Sequence, residues 1–286
     1  MTPFHIFLIL AMAAAWGLNF VITRVVLEVF SPQQLSLARA VITLVILLPW
    51  WQPWRRVSAR LLWASFAIGV VSFYLLYVAI DMTDSLTTVA ISTQLMAPIS
   101  AVIALVLYRE RITPRNWLGI LVATAGAVML VGATGFGVSV LALGLTILSV
   151  IFYALGSIVV SKTDSVGIWR LLAWISAVSV IPLGLLAALS GPLYPDPATI
   201  HAEHWLALMF SAVASSVLGQ AVLFSLYRIY PVAEVVPYIL FVPVFAALSA
   251  VLLYHERVGF SLAFGGAVIL LGVWIQQSKK APARLV

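Results

Sequence analysis

Few side chains in this chain can bind a polar molecule at depth, because the long runs that dominate it are almost wholly apolar. Asn19, Gln94 and Gln220 carry amides, Ser216 a hydroxyl and Arg39 a guanidinium, each inside such a run. An amide both donates and accepts, which suits the carboxylate or ammonium of an amino acid. In lipid no water satisfies these groups, so each must face a cavity, a cargo path or a partner helix. Trp16 lies one turn before Asn19 on the same helix face. Trp16, Tyr74, Tyr77, Tyr153 and Tyr238 lie deep enough in their runs to form an aromatic wall. Such a wall holds apolar or aromatic groups by dispersion and an ammonium by cation–π attraction. Every one of these residues has a plainer alternative: interhelical hydrogen bonding, worth about 1 kcal/mol, or packing against neighbours and lipid.

Arg39 is the one cation well inside a run, about two turns past Pro32. A buried guanidinium needs partners, and Asp81 or Asp84 near the same end can supply one. A structural salt bridge or gate latch is favoured over direct cargo contact. Pro98 and Pro243 each remove a helical hydrogen bond at similar depths of two corresponding runs, and paired breaks of this kind mark a binding site or hinge.

The missing residues exclude other chemistry. There is no cysteine, the histidines His5, His201, His204 and His255 fall at ends or connections, and all nine acidic residues fall at or beyond run ends. No catalytic constellation stands at membrane depth, so an intramembrane enzyme is disfavoured and neither metal nor cofactor is expected. His201 and His204 have a ligand-like spacing, but their Pro-rich connection favours solvation. No Gly-x-x-x-x-Gly-Lys stretch is present, so no ATP-binding site and no ATPase subunit are implied. Without a midplane carboxylate, downhill movement, or proton coupling through a peripheral group such as Asp81, is favoured over a buried-acid antiporter.

The elements carrying these residues follow from composition. Apolar residues make up 64% of the 286, charged residues only 8%, and mean hydropathy is +1.15, against about 25% charged in soluble domains. This is an all-α integral membrane composition; alternating ten-residue barrel strands are not seen. At about 20 residues per span, ten spans are expected at about 4–26, 33–49, 61–80, 86–107, 114–133, 138–160, 168–189, 204–229, 232–254 and 259–277. Ala13 and Ala15 imitate a signal-cleavage site, but no cation precedes the run and it continues to Ile22, so it counts as a span. With the N-terminus inside, 12 Lys and Arg face the cytoplasm, Arg24 and Arg257 face outward, and Arg39 completes the 15. Both termini are therefore expected in the cytoplasm. The net charge of +6 reads as topology-setting charge at span ends rather than as a nucleic-acid surface.

The chain also echoes itself. Tyr108, Glu110, Arg111, Gly119 and Gly126 recur as Tyr254, Glu256, Arg257, Gly265 and Gly272, all displaced by 146 residues. Trp16-Gly17-Leu18-Asn19 aligns more loosely with Tyr153-Ala154-Leu155-Gly156, displaced by 137. Five spans per copy force the second copy to be inverted. The expected units are 1–134 and 137–278, each of five helices, with a basic cytoplasmic tail at 279–286.

These inverted fives, the Trp16-Gly17-Leu18-Asn19 stretch, Ser31-Pro32 ahead of Arg39, and Glu-Arg after the fourth and ninth spans resemble the drug/metabolite transporter superfamily, specifically its EamA family. Among its members the chain looks most like bacterial inner-membrane exporters of amino acids, including the YddG type. The resemblance implies a basket-like bundle with a central cavity lined by spans one, three, four, six, eight and nine. It implies export of small metabolites by alternating access, with a small molecule and the bilayer as partners. Multidrug or lipid-linked precursor transport on the same fold is the alternative, and a single intramembrane cation argues modestly against a lipid headgroup.

Overall fold

The computed structural model describes residues 1–52, 57–108, 113–133, 139–161, 167–230, 235, 238–257 and 259–277. Among the described residues all regular structure is helical. In chain order the helices are α1 Pro3–Leu27, α2 Pro32–Leu47, α3 Ala59–Asp81, α4 Leu86–Tyr108, α5 Pro114–Ala133, α6 Val140–Ser161 and α7 Ile168–Ser190. They continue with α8 Ala202–Ile229, α9 Val242–Tyr254 and α10 Phe260–Gln277. Seven are long and apolar enough to cross a bilayer, and α9 and Ala263–Ile275 of α10 are shorter apolar helices. The protein is a multi-pass membrane protein.

Local chemistry sets the helix ends. Thr2 and Ser31 accept N–H bonds from His5 and Gln34, with Pro3 and Pro32 in the first turns, and Gln34 completes a capping box. Ser85 caps α4 through the Thr88 N–H, which separates α3 from α4 despite a connection of only a few residues. His255, at φ 52°, ends α9 in the left-handed region.

Three helices deviate internally. α3 carries a π-helical stretch at Ala67–Ser72 and α8 another at Ser211–Gly219. α4 passes through a 3₁₀ turn at Thr93–Leu95, because Pro98 has no N–H to give the Gln94 carbonyl. The expected proline breaks take a definite form here. Pro98 and Pro243 sit in the first turns of two 13-residue helical segments, Met96–Tyr108 and Val242–Tyr254. Before the latter segment, within the expected ninth span, Val235, Tyr238 and Ile239 are also helical; residues 231–234 and 236–237 lie outside the described set, as do Glu110 and Arg111.

Small residues decide how the helices meet. A Cβ on Gly126 would lie 2.6 Å from the Ile269 nitrogen and 2.9 Å from the Gly265 carbonyl, and one on Gly272 would strike the Ala123 backbone and lie 2.7 Å from the Gly119 carbonyl. α5 and α10 therefore cross backbone to backbone, with Gly119 against Gly272 and Gly126 against Gly265. The recurrent glycines pack on each other within the chain. Gly17 likewise admits α9, where a Cβ would lie 2.7 Å from the Ala246 nitrogen. Gly126→Val should lower stability by about 1–3 kcal/mol, whereas Gly144→Ala, with open space around the new methyl, should leave it unchanged. Thermal unfolding midpoints in detergent distinguish the two.

Candidate substrate cavity

Arg39 lies halfway along α2, on a helix braced at its start by the Ser31 cap and by Gln34 Nε2 donating to the Pro192 carbonyl at 2.8 Å. Its side chain is only 8% exposed. The guanidinium carbon lies 3.7 Å over the Phe73 ring and 5.2 Å from the Tyr77 centroid. One terminal nitrogen donates to Ser216 Oγ at 3.0 Å. Ser216 spends its own proton on the Ser211 carbonyl at 2.9 Å, five residues back along the π-helical stretch, so its lone pairs face Arg39. Phe73 also packs edge-on against Tyr153, centroids 6.3 Å apart, and the Tyr153 hydroxyl donates to Gln220 Oε1 at 3.2 Å.

These groups border a cavity of about 40 Å³, room for roughly three water-sized sites. Its walls come from α2, α3, α6, α7 and α8. Two apolar clusters share residues with its lining: Ala40, Val70 and Leu183 with Leu37, Tyr74 and Val180, and Leu47, Leu172 and Val217 with Trp51 and Phe224. Gly69 lets α3 press against α7, since a Cβ there would reach Ile175 at 2.9 Å.

The expected partner of Arg39 is corrected. Asp81 instead joins Arg24, whose terminal nitrogen donates to the Ile80 and Asp81 carbonyls at 3.1 and 2.8 Å and lies 3.9 Å from the carboxylate. Arg24 and Asp81 both lie near helix ends, whereas Arg39 is two turns deeper. Among the described residues no carboxylate stands within ion-pair distance of Arg39.

Arg39, Tyr153, Ser216 and Gln220 therefore converge, with Tyr77 against the guanidinium and Tyr74 packed on the apolar cluster of Ala40, Val70 and Leu183. The remaining expected residues lie elsewhere. The Trp16 indole donates to the Ser215 carbonyl at 3.0 Å, bracing α1 on the π-helical stretch of α8. Asn19 Nδ2 donates to Thr23 Oγ1 at 3.3 Å, while its Oδ1 is buried without a partner. Gln94 is buried in the 3₁₀ turn of α4, Pro98 and Pro243 are buried near helix starts, and Tyr238 packs beside the core of α1 and α9. None of these lines the cavity around Arg39, to which α2 and α7 contribute beside α3, α6 and α8. Ser36, Thr43, Phe73, Ser176, Ser179 and Phe224 line it without having been marked by an amide or a charge. Ser36, Arg39 and Thr43 repeat at helical spacing along α2, as do Ser176 and Ser179 on α7, and that periodicity is their signal.

At the helix ends, the Tyr254 hydroxyl donates to Glu28 at 2.7 Å, and Glu256 receives the Ser85 hydroxyl at 2.7 Å and the Thr87 N–H at 3.4 Å. Glu256 thus braces α9 against the start of α4. At the opposite ends of α1 and α8, His5 Nδ1 and the Tyr230 hydroxyl are 2.7 Å apart. His204 Nδ1 accepts the His201 N–H at 3.0 Å, serving as part of a helix cap.

The model of the EamA-like transporter family matches twice, over residues 3–132 and 140–276. The chain belongs to the EamA-like transporter family. Its EamA relatives include a "Probable amino-acid metabolite efflux pump" of Escherichia coli (strain K12), 24% identical over 94% of this chain and 93% of that one. A protein of the same description from Salmonella typhimurium is 25% identical with the same coverage, and an "Uncharacterized transporter" of Archaeoglobus fulgidus is 24% identical over 96% of this chain and 98% of its own. A solved crystal structure shares the fold with a TM-score of 0.66 at 16% identity, covering 96% of both chains.

Removing the acceptor from a buried guanidinium should be costly. Ser216→Ala is expected to lower unfolding free energy by about 1.5–3 kcal/mol and Tyr153→Phe by about 1 kcal/mol, read as a larger fall in thermal midpoint for the first.

Proposed function

We propose that this protein exports small metabolites, chiefly amino acids with apolar or aromatic side chains, across a bacterial inner membrane by alternating access. The observation that carries this reading is the cavity around Arg39. It combines one cation, several hydroxyls and an amide with aromatic and aliphatic walls, the mixture a small amphipathic metabolite requires. Its walls are drawn from α2 and α3 on one side and α6, α7 and α8 on the other, so relative movement of residues 1–134 and 137–278 opens and closes it. The two descriptions of relatives as amino-acid metabolite efflux pumps support the cargo class.

In this reading the two halves are inverted five-helix repeats. The double family match, the displacement of 146 residues relating Met96–Tyr108 to Val242–Tyr254, and the reciprocal glycine contacts of α5 and α10 support it. Both termini lie in the cytoplasm, as the distribution of cations favours. Alternating access then consists of parting one of the two apolar clusters beside the cavity while the other holds. The Tyr254–Glu28 and Glu256–Ser85 bonds tie α9 to α1 and α4 at the outer face, and His5–Tyr230 ties α1 to α8 at the inner face. Since no acidic side chain lines the cavity among the described residues, cargo moves down its own gradient.

Proteoliposomes loaded with amino acids, nucleosides or cationic dyes test the reading. Apolar and aromatic amino acids should leave several-fold faster than from protein-free vesicles, at rates indifferent to an imposed proton gradient. Gln220→Ala should raise KM more than Asn19→Ala or Gln94→Ala, which lie off the cavity. Release of a dye or a lipid with no release of any amino acid would transfer the assignment to multidrug or lipid-precursor transport.

A further inference from the structure

Arg39 is a buried cation without a counter-charge among the described residues. Among the described residues its single hydrogen bond goes to a neutral hydroxyl, its face rests on Phe73, and the cavity lining contains no carboxylate. An ionised group in so apolar a place costs several kcal/mol unless compensated, and one serine with one aromatic ring compensates only part of that. Thr43 supplies a second, independent sign. One turn further along α2, it lines the same cavity, is 5% exposed, and its Oγ1 has no hydrogen-bond partner. A guanidinium with unused N–H groups and an orphaned hydroxyl beside it make a donor set for an anion.

We infer that Arg39, Thr43 and Ser216 form the subsite for a single carboxylate of the cargo, and that the cavity prefers monocarboxylates whose amine is absent or acylated over free zwitterions. The inference rests on the exporter reading and revises its cargo order, placing N-acylated amino acids and other monocarboxylates ahead of the free amino acids. A planar carboxylate matches the guanidinium fork in bidentate fashion. A doubly charged phosphate group would need a second cation, and the lining contains none. Charge balance sets the preference among carboxylates. A monoanion brings the cavity to neutrality, whereas a zwitterion adds an ammonium that meets only neutral acceptors such as Gln220 Oε1, already engaged by Tyr153, and leaves the net charge unchanged. The apolar remainder of the cargo lies against Phe73, Leu172, Ile175 and Phe224, and Phe73 must swing off the guanidinium as the carboxylate arrives, because the cavity of about 40 Å³ is smaller than such a molecule.

Four molecules with the same benzyl group provide the test: N-acetylphenylalanine, phenylalanine, phenylalaninamide and N-acetylphenylalaninamide. Each is loaded into proteoliposomes of the full-length protein, and initial efflux and ligand-induced shifts in thermal midpoint are measured. N-acetylphenylalanine should exceed both amides by at least about tenfold in kcat/KM, the scale of one charge-assisted hydrogen bond, with phenylalanine between. Arg39→Gln should collapse this ratio towards one. Arg39→Lys, which keeps the charge without the fork, should retain the order with a smaller ratio, and it carries the test if the glutamine variant fails to fold. Thr43→Val should reduce the ratio without abolishing it. Equal transport of acid and amide by the parent, or an unchanged ratio in both Arg39 variants, would overturn the carboxylate subsite while leaving an exporter. If neither this set nor the wider panel moves or shifts the midpoint, the exporter reading falls and the subsite with it.

Discussion

Lipid supplies no hydrogen bonds, so every polar atom inside the bundle must find its partner within the protein. Arg39 is where that constraint presses hardest. Its solution depends on neighbours from three other helices: Phe73 and Tyr77 of α3 lie against the guanidinium, Ser216 of α8 accepts from it, and Tyr153 of α6 holds Phe73 edge-on. Each contact depends in turn on a helix being displaced from regular geometry or brought unusually close. The cavity is the space left where these demands meet.

The internal irregularities of the helices follow from the same rule. Side chains reach carbonyls in and beside the π-helical stretches, where the wider backbone spacing exposes them. In α8 the Ser215 carbonyl is taken by the Trp16 indole and the Ser211 carbonyl by Ser216. In α3 the Ser72 carbonyl is taken by Ser149 Oγ at 2.8 Å. Each stretch thus takes a hydrogen bond from a side chain of a distant helix, α1 for α8 and α6 for α3. Irregular backbone and the candidate site lie together on α3 and α8, where these contacts supply what water would elsewhere.

Much of the candidate site is legible in the sequence. Arg39, Tyr153, Ser216 and Gln220 are polar or amphipathic groups inside long apolar runs, and depth alone marks them. Asn19 and Gln94 carry the same mark, yet lie elsewhere: depth shows that a side chain needs a partner, not which partner it finds. Asn19 finds Thr23 on its own helix, and Gln94 lies in a turn created by Pro98. Ser36, Thr43 and Ser176 escape notice because hydroxyls are common in membrane helices and can bond to their own backbone, as Ser36 does to the Pro32 carbonyl. Their helical spacing is readable, but the meeting of the two stripes across α2 and α7 is not.

By itself the sequence determined the membrane class, the helix sites and most helix limits. These depend on residues near one another in the chain: apolar run length and Ser or Thr caps beside proline. Only the tertiary structure decided that Asp81 belongs to Arg24, leaving Arg39 with no carboxylate at ion-pair distance among the described residues, and that α2 and α7 share in walling the cavity around Arg39. Those outcomes turn on helix rotation and on relative depth, differences of a turn or less. Composition and periodicity cannot resolve them, because an apolar helix presents lipid and protein with nearly the same surface.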